Sequence, residues 1–380
     1  MTQLYHKADS LRAITGVAEV TDSLVARIHS LHGRLDDLGL ASYRHALLDR
    51  ACRALLNKAR PDEPPYQLRP HIVAELKQIT DSELPRYLFY RYRYDVFPIT
   101  RELDAFPPCV QIEPTSICNY RCVFCYQTDR SFTQGRHGHM GQMPLETFKN
   151  VVDQIEGEVE AVTLASRGEP LMCKDIDGML AYAAGKFLAL KINTNAWYLD
   201  ERRAHAVLAA EPNTVVFSAD AADAELYAKL RVNGKLERVL ENVRRFAEIK
   251  AKHYPQSRTI TRVSGVQFSK EQDFQEVERF WRDYVDQVAF VDYNPWENAY
   301  DAPANALVEP CSDLWRRVFV WWDGRMNPCD VDYKSQLSPG KVGETALSAL
   351  WRSEAYTVLR DSHLSGQRQA LTPCKGCVLV

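Results

Sequence analysis

Seven of the ten cysteines fall into two groups whose spacing suits metal. The first is Cys118, Cys122 and Cys125, a C-x3-C-x2-C run inside QIEPTSICNYRCVFCYQ, residues 111–127. Thiolates are soft ligands that favour iron–sulfur clusters or zinc. Clusters are usually held by four cysteines. Three with no nearby fourth leave one iron of a cubane without a protein ligand, and an open metal position is what catalysis needs. Zinc would want a fourth Cys or His at short spacing. The nearest candidates, His137 and His139, lie in a glycine-rich loop and are expected to face solvent. The second group is Cys311, Cys329, Cys374 and Cys377. A hairpin turning at Asp323–Gly324 would bring Cys311 near Cys329, and the closing C-x2-C completes four thiols. Four thiols suit zinc or a [4Fe–4S] cluster, and spacing alone does not choose.

With Phe124 ahead of its last cysteine, the first run resembles the signature of the radical S-adenosylmethionine (radical SAM) enzymes, over roughly residues 105–380. In that family the open iron chelates the amino and carboxylate groups of SAM. Reductive cleavage then gives a 5′-deoxyadenosyl radical that abstracts a substrate hydrogen. The C-terminal cysteines resemble the SPASM/twitch auxiliary domains in their shortened form. That implies one auxiliary [4Fe–4S] cluster with every iron ligated by protein, able to carry an electron but not to bind substrate.

Further polar groups follow the predicted strands, where ligands bind in parallel α/β folds. Ser166–Arg167–Gly168–Glu169–Pro170 resembles the family's Gly-Gly-Glu-Pro motif, with Arg167 in place of the first glycine. The resemblance puts Gly168 and Glu169 against the SAM amino group, since an ammonium wants a carboxylate and carbonyl oxygens. Arg167 is expected either to block a backbone contact or to act as an anion clamp. Asn193 and Asn195 suit an adenosine-binding edge, with Ala196 where relatives often carry glycine. Ser218 and Asp220 fall on one face by strand alternation and fit ribose hydroxyls or the SAM carboxylate. Asp220 is also placed to cap a helix. Arg262 is the candidate for a SAM-carboxylate or substrate contact, against a surface salt bridge.

A substrate radical can lose an electron and a proton, take back a hydrogen on the opposite face, couple, or fragment. A fully ligated second cluster favours the first exit. The expectation is therefore an oxidoreductase that dehydrogenates a polar sugar- or cyclitol-like small molecule, served by a reducing donor such as flavodoxin or ferredoxin. A base must take the hydroxyl proton; the candidates are Asp330, Asp332, Tyr293 and Glu297. The runner-up is maturation of a peptide. A third reading is epimerisation with Cys173 as hydrogen donor, against a buried structural cysteine. A different class is a two-cluster electron carrier or zinc scaffold that does not cleave SAM.

Strand-like runs are expected at 109–113, 160–165, 187–193, 213–218, 259–267 and 287–292. Helical runs alternate with them at 145–157, 174–185, 200–210, 221–231, 236–252 and 271–284. Six such repeats predict an α/β fold, a partial (βα)6 TIM-like barrel with helices outside. Residues 1–104 are expected to be a helical region: Leu24, Ile28 and Leu31, then Leu47, Leu48, Cys52 and Leu55, follow helical spacing. The aromatic run Tyr87–Phe97 should pack that region onto the barrel, or else form a substrate-facing wall. The barrel is assigned to 105–298 and the small SPASM/twitch domain, with one hairpin and one helix at 346–362, to 299–380. Ser131–Pro144 is expected to be a mobile cover over the cluster. A net charge of −3 gives no electrostatic footprint for nucleic acid or an acidic membrane. No run approaches 18 apolar residues, so no membrane helix is expected. Ten cysteines without a secretory signal point to a reducing cytoplasm and to metal.

Overall fold

The six runs expected to form strands all do so, and they pair in parallel. The computed structural model describes residues 4–7, 11–297 and 299–380. In chain order the elements are β1 (Leu11–Ile14), α1 (Asp22–Gly33), α2 (Ser42–Leu55), α3 (Pro70–Leu76), α4 (Leu84–Thr100), β2 (Cys109–Ile112), β3 (Arg121–Cys122), α5 (Arg130–Thr133) and α6 (Leu145–Ile155). There follow β4 (Ala161–Leu164), α7 (Ile176–Ala183), β5 (Ala189–Thr194), α8 (Glu201–Ala209), β6 (Thr214–Ser218), α9 (Ala224–Leu230), β7 (Arg231–Val232), α10 (Leu236–His253), β8 (Ile260–Gln267), α11 (Phe274–Trp281) and β9 (Gln287–Asp292). The chain ends with α12 (Asp313–Arg316), β10 (Arg317–Val320), β11 (Arg325–Asn327), β12 (Gly340–Lys341), α13 (Leu347–Trp351) and α14 (Glu354–Leu364).

The main sheet runs β1-β9-β8-β6-β5-β4-β2-β10-β11-β12. Its six central strands form a partial barrel that does not close. Outer helices bury one stripe against it: in α6 the residues Phe148, Val151, Val152 and Ile155, spaced i, i+3, i+4 and i+7, are fully buried. Each such side chain contributes roughly 1.5–3 kcal/mol by leaving water. Helices α1–α4 share a second core with Cys109, Ala161 and Ala189, the first residues of β2, β4 and β5. The N-terminal helices therefore plug the base of the barrel. Leu24, Ile28, Leu31, Leu47, Leu48 and Cys52 all lie in this core, as their spacing predicted.

Three expectations change. A strand, β1, precedes the helices and pairs antiparallel with β9. Four residues are too few for periodicity to separate strand from helix. The single C-terminal helix is two, α13 and α14, broken where the Ser353 side chain accepts from Tyr356 N–H and starts a new helix. The C-terminal hairpin also does not stand apart: β10 pairs in parallel with β2 and carries the barrel's sheet onward.

Candidate active site

The cysteine run leaves β2 through Glu113 and Pro114 and is tied down at several points. Arg121–Cys122 pairs with Arg231–Val232, and Val123 N–H donates to Leu230 O at 3.0 Å. Gln127 Nε2 donates to Ser116 O at 2.8 Å and to Arg167 O at 2.5 Å. Each thiol has its own donor: Tyr120 N–H lies 3.4 Å from Cys118 Sγ, Arg231 Nη1 3.7 Å from Cys122 Sγ, and Gln127 N–H 3.5 Å from Cys125 Sγ. Burial pushes the Cys118 thiol up to about 12, with Glu169 and Cys122 adding to the rise. Three clustered thiols with N–H donors aimed at sulfur are a donor set for a cationic centre with bridging sulfides, which would hold them ionised.

The motif after β4 packs directly on this run. Glu169 N–H donates to Ile117 O at 2.9 Å, and a Cβ on Gly168 would stand 2.3 Å from Thr115 O and 2.5 Å from Ile117 O. Gly168 thus allows close approach of two backbones rather than of backbone to ligand. Arg167 is neither blocker nor clamp. Its Nε and Nη2 both reach the Glu113 carboxylate at 2.6 Å, Nη1 donates to Tyr333 O at 2.8 Å, and both side chains are buried. Ser166, ahead of it, holds φ +127° with its hydroxyl buried and unbonded.

Glu169 is buried beside the triad. It accepts from Leu171 N–H (3.1 Å), Thr194 hydroxyl (2.6 Å) and Asn195 N–H (2.7 Å), all neutral donors. Burial raises its carboxyl to about 7, against the lowering effect of those bonds. Among the described residues no cation pairs with it. A shielded acid with only neutral donors next to three thiols fits the ammonium of an amino acid. Asn195 ties this edge to the triad, its Nδ2 donating to Asn119 Oδ1 at 2.9 Å.

Other predicted contacts are placed differently. Asp220 is fully buried and spent within the protein: Oδ1 accepts from Val266 N–H at 2.7 Å, and Oδ2 lies 2.5 Å from Arg231 Nε as an ion pair. It does not cap α9, which Asp223 does. Asp220 therefore supports the arginine that reaches Cys122. Ser218 stands level with Ser264 at the end of β6. Arg262 is not at a strand end; it faces the barrel interior, five residues before β8 finishes at Gln267, with Nε on Gln287 Oε1 at 2.8 Å. Asn193 faces the same interior. Phe124 packs against Phe268 with ring centroids 5.6 Å apart, and its carbonyl accepts from Trp296 Nε1 at 2.7 Å.

The base candidates separate clearly. Asp332 is fully buried and saturated, accepting from Tyr300 hydroxyl, Gln336 N–H and Leu337 N–H at 2.7–2.9 Å, so it fixes the 332–337 turn. Tyr293 donates to Glu297, whose other oxygen is buried without a partner. Asp330 also keeps a buried oxygen without a hydrogen bond, and it lies in electrostatic reach of Cys329, Cys377 and Tyr126. Cys173 does not edge a pocket: it is fully buried in the barrel core against Met143 O. The 131–144 segment is a docked cover, not a loose one. Gly141 O accepts from Thr115 and Ser116, and Trp322 Nε1 donates to His139 O at 3.1 Å. His137 is exposed, while His139 is half-buried on Phe132.

Of the four C-terminal thiols Cys311 is buried and Cys329, Cys374 and Cys377 are half-buried. Burial raises all four, Cys311 to about 12, with Cys377 adding to the rise of Cys311 and Cys374, and Cys374 and Cys311 adding to that of Cys329. Arg368 holds the closing loop by donating to Cys377 O at 3.2 Å and Leu379 O at 3.1 Å. Four neighbouring thiols with no N/O ligand among them fit a cluster with no open corner.

The fold and the triad define an iron–sulfur α/β barrel protein with a second, four-cysteine site. Comparison with known families gives the particular class. The radical SAM superfamily model matches residues 112–280, and the SPASM model, an iron–sulfur cluster-binding domain, matches residues 311–378. Residues 112–280 thus form a radical SAM domain and residues 311–378 a SPASM domain; SAM and auxiliary [4Fe–4S] clusters are the cofactors of these domains. GTP 3′,8-cyclase of Listeria monocytogenes is 24% identical over 213 residues, 54% of this chain and 61% of that protein. Fe-coproporphyrin III synthase of Methanosarcina barkeri is 31% identical over 97 residues, 26% of this chain and 23% of that protein. The matches thus span less than two thirds of these relatives. Among solved structures, Streptococcus suis SuiB bound to its precursor peptide SuiA has TM-score 0.54 at 15% identity, covering 89% of this chain and 79% of SuiB. BtrN in complex with AdoMet and 2-DOIA has TM-score 0.49 at 17% identity, covering 73% of this chain and 94% of BtrN. The likeness to SuiB is one of fold. No helix among the described residues is long and apolar enough to cross a membrane.

Proposed function

We propose that this radical SAM enzyme dehydrogenates a polar, sugar- or cyclitol-like small molecule. Cys118, Cys122 and Cys125 would hold the SAM-binding cluster, and Cys311, Cys329, Cys374 and Cys377 the auxiliary one. When bound, SAM and the clusters supply a hydrogen-abstracting radical and an acceptor for the electron left behind. Glu169 would take the SAM ammonium, displacing none of its backbone bonds, because a carboxylate has about four lone-pair sites and three are used. Arg231 would donate to Cys122 and Asp220 would position Arg231.

The observation that supports the oxidation reading is Asp330, a carboxylate with a buried oxygen that makes no hydrogen bond, acting electrostatically on Tyr126 beside the first site, on Cys329 and Cys377 of the second, and on Lys7 and Arg317. An alcohol turning into a ketone must hand its hydroxyl proton to such a group. The test is anaerobic turnover with a panel of polyols, reading 5′-deoxyadenosine and carbonyl product separately. Asp330→Asn should keep SAM cleavage and lose carbonyl product at least a hundredfold. Equal product from that variant removes Asp330 as the base. SAM cleavage with no carbonyl from any polyol, but modification of a peptide, replaces the small-molecule reading with maturation.

A further inference from the structure

Beneath the strand ends, the interior of the barrel is a cavity of about 320 Å³. Its walls are the inward faces of the strands, and its floor is α3 and α4 of the N-terminal plug. Seven of its lining side chains are Lys or Arg and two, Glu75 and Asp95, are carboxylates. The Glu75 Oε2 accepts from the neutral Tyr87 hydroxyl at 2.6 Å, and its charge acts on Lys191 and Arg262. Some of the basic groups are ion-paired, as Arg91 is with Asp95 at 2.7 Å. Two are not. Lys191 makes no hydrogen bond or ion pair among the described residues, and Arg262, 5% exposed, has a neutral Gln287 on Nε and a buried Nη2 with no partner.

Strand register brings these two together. Asn193 pairs with Val216 and Val216 with Arg262, so Asn193 and Arg262 stand level, two strands apart, roughly 10 Å across. Lys191 is the next inward residue below Asn193, roughly 7 Å down β5. Asn193 Oδ1 is buried and unbonded above them. Arg262 is buried and Lys191 half-buried, and Glu75 acts on both, so one carboxylate faces two cations and an anion between them would balance the second. Burial pulls the Lys191 ammonium down to about 8, with Glu75 opposing and Arg262 adding to the fall. His71, on the floor, is driven down to about 2 by burial and by the same arginines and Lys191.

We propose that Lys191 and Arg262 form an anion site inside the barrel that takes a phosphate or carboxylate group of the substrate, with the N-terminal helices as its floor. The substrate would then be an acidic polyol derivative, its charged group seated low and its reacting carbon toward the thiol triad. What the anion belongs to rests on the small-molecule reading above; the site itself does not.

The test is binding, without SAM or turnover. The full-length, cluster-reconstituted protein is titrated calorimetrically with inorganic phosphate, with succinate, and with neutral sorbitol. Phosphate or succinate should bind once per chain and sorbitol not at all; which of the two binds more tightly names the acidic group. Lys191→Met and Arg262→Gln should each weaken the better anion at least tenfold, and Lys191→Arg, which keeps the charge, should retain most of it. The exposed Lys229→Met is the control and should change nothing. A circular dichroism spectrum matching wild type shows that each variant is folded; Lys191→Arg carries the comparison if Lys191→Met is not. No saturable binding of either anion, or binding unaltered in both charge-removing variants, overturns the proposal. Anion binding together with failed dehydrogenation would leave this site standing and sink only the oxidation reading.

Discussion

Replacing Glu113 with Gln should disable the first cluster site from below. The Glu113 carboxylate collects four donors: Arg167 Nε and Nη2 at 2.6 Å, Arg167 N–H at 3.1 Å and Trp322 N–H at 3.2 Å. Glutamine offers one oxygen, and its NH2 must face either the guanidinium or Trp322 N–H. The guanidinium is then left buried without its charge partner, between Trp321 at 4.3 Å and Phe132 at 5.3 Å. Removing one member of a buried ion pair costs about 3–5 kcal/mol. Unfolding entropy of roughly 2.1 cal/mol/K per residue makes that a fall of about 4–6 °C if the chain melts as one unit. The loop also loses an anchor, since the carbonyl of Arg167 accepts from Gln127, two residues after Cys125. The assay is differential scanning fluorimetry on the cluster-free protein, with iron counted after anaerobic reconstitution. The companion Glu113→Gln/Arg167→Met should recover part of the loss because no charge is stranded. A melting point within 1 °C of wild type, with full iron, would refute the reasoning.

Three further outcomes follow from the same geometry. Gly168→Ala puts a Cβ within 2.5 Å of two cysteine-loop carbonyls, so that loop must move; iron at the first site should fall while the four-cysteine site keeps its complement, read by Mössbauer spectroscopy. Arg231→Gln removes the cationic donor 3.7 Å from Cys122 and strands Asp220; with Asp220→Asn added to restore charge balance, the first cluster's potential should move negative in a redox titration. Lys191 is held down to about 8 against about 10.4 in the unfolded chain, so between those values the unfolded state binds the extra proton. Stability should therefore rise with pH from about 8 to 10, and urea melts of Lys191→Met should show a flatter profile.

What could be read from the chain and what could not divide along physical lines. The six parallel strands were legible because strands buried on both faces are short, apolar and β-branched, and helical stripes separate them. The triad was legible because its ligands lie within eight residues of one another. Its motif singled out Glu169, which the structure buries among neutral donors. Arg231 was missed, and Asp220 misassigned with it, because an ion pair between residues 220 and 231 leaves no local pattern. Arg167 was misassigned for the same reason: its partner lies 54 residues earlier. Strand alternation places Arg262 inside the barrel but says nothing of its height, which depends on register against β6. Cys173 shows the converse limit. Its position after a functional motif looked informative, but the 3-10 turn at Pro170–Met172 carries it into the core.

Charge pairing turns these placements into an orientation for the ligands. At the strand ends Glu113 is matched by Arg167 and Asp220 by Arg231. Glu169 is the acid of that layer left with neutral partners, so a cationic group has one favourable place there. Lower in the barrel the imbalance reverses, and Lys191 and Arg262 share the one carboxylate of Glu75. A molecule with an ammonium above and another with an acid below would each relieve one uncompensated charge, and would meet near Asn193. On the proposed reading the barrel would order its two ligands by sign before any shape is considered. Exchanging the signs with Glu169→Lys and Lys191→Glu together should destroy both binding events, while leaving the net charge unchanged.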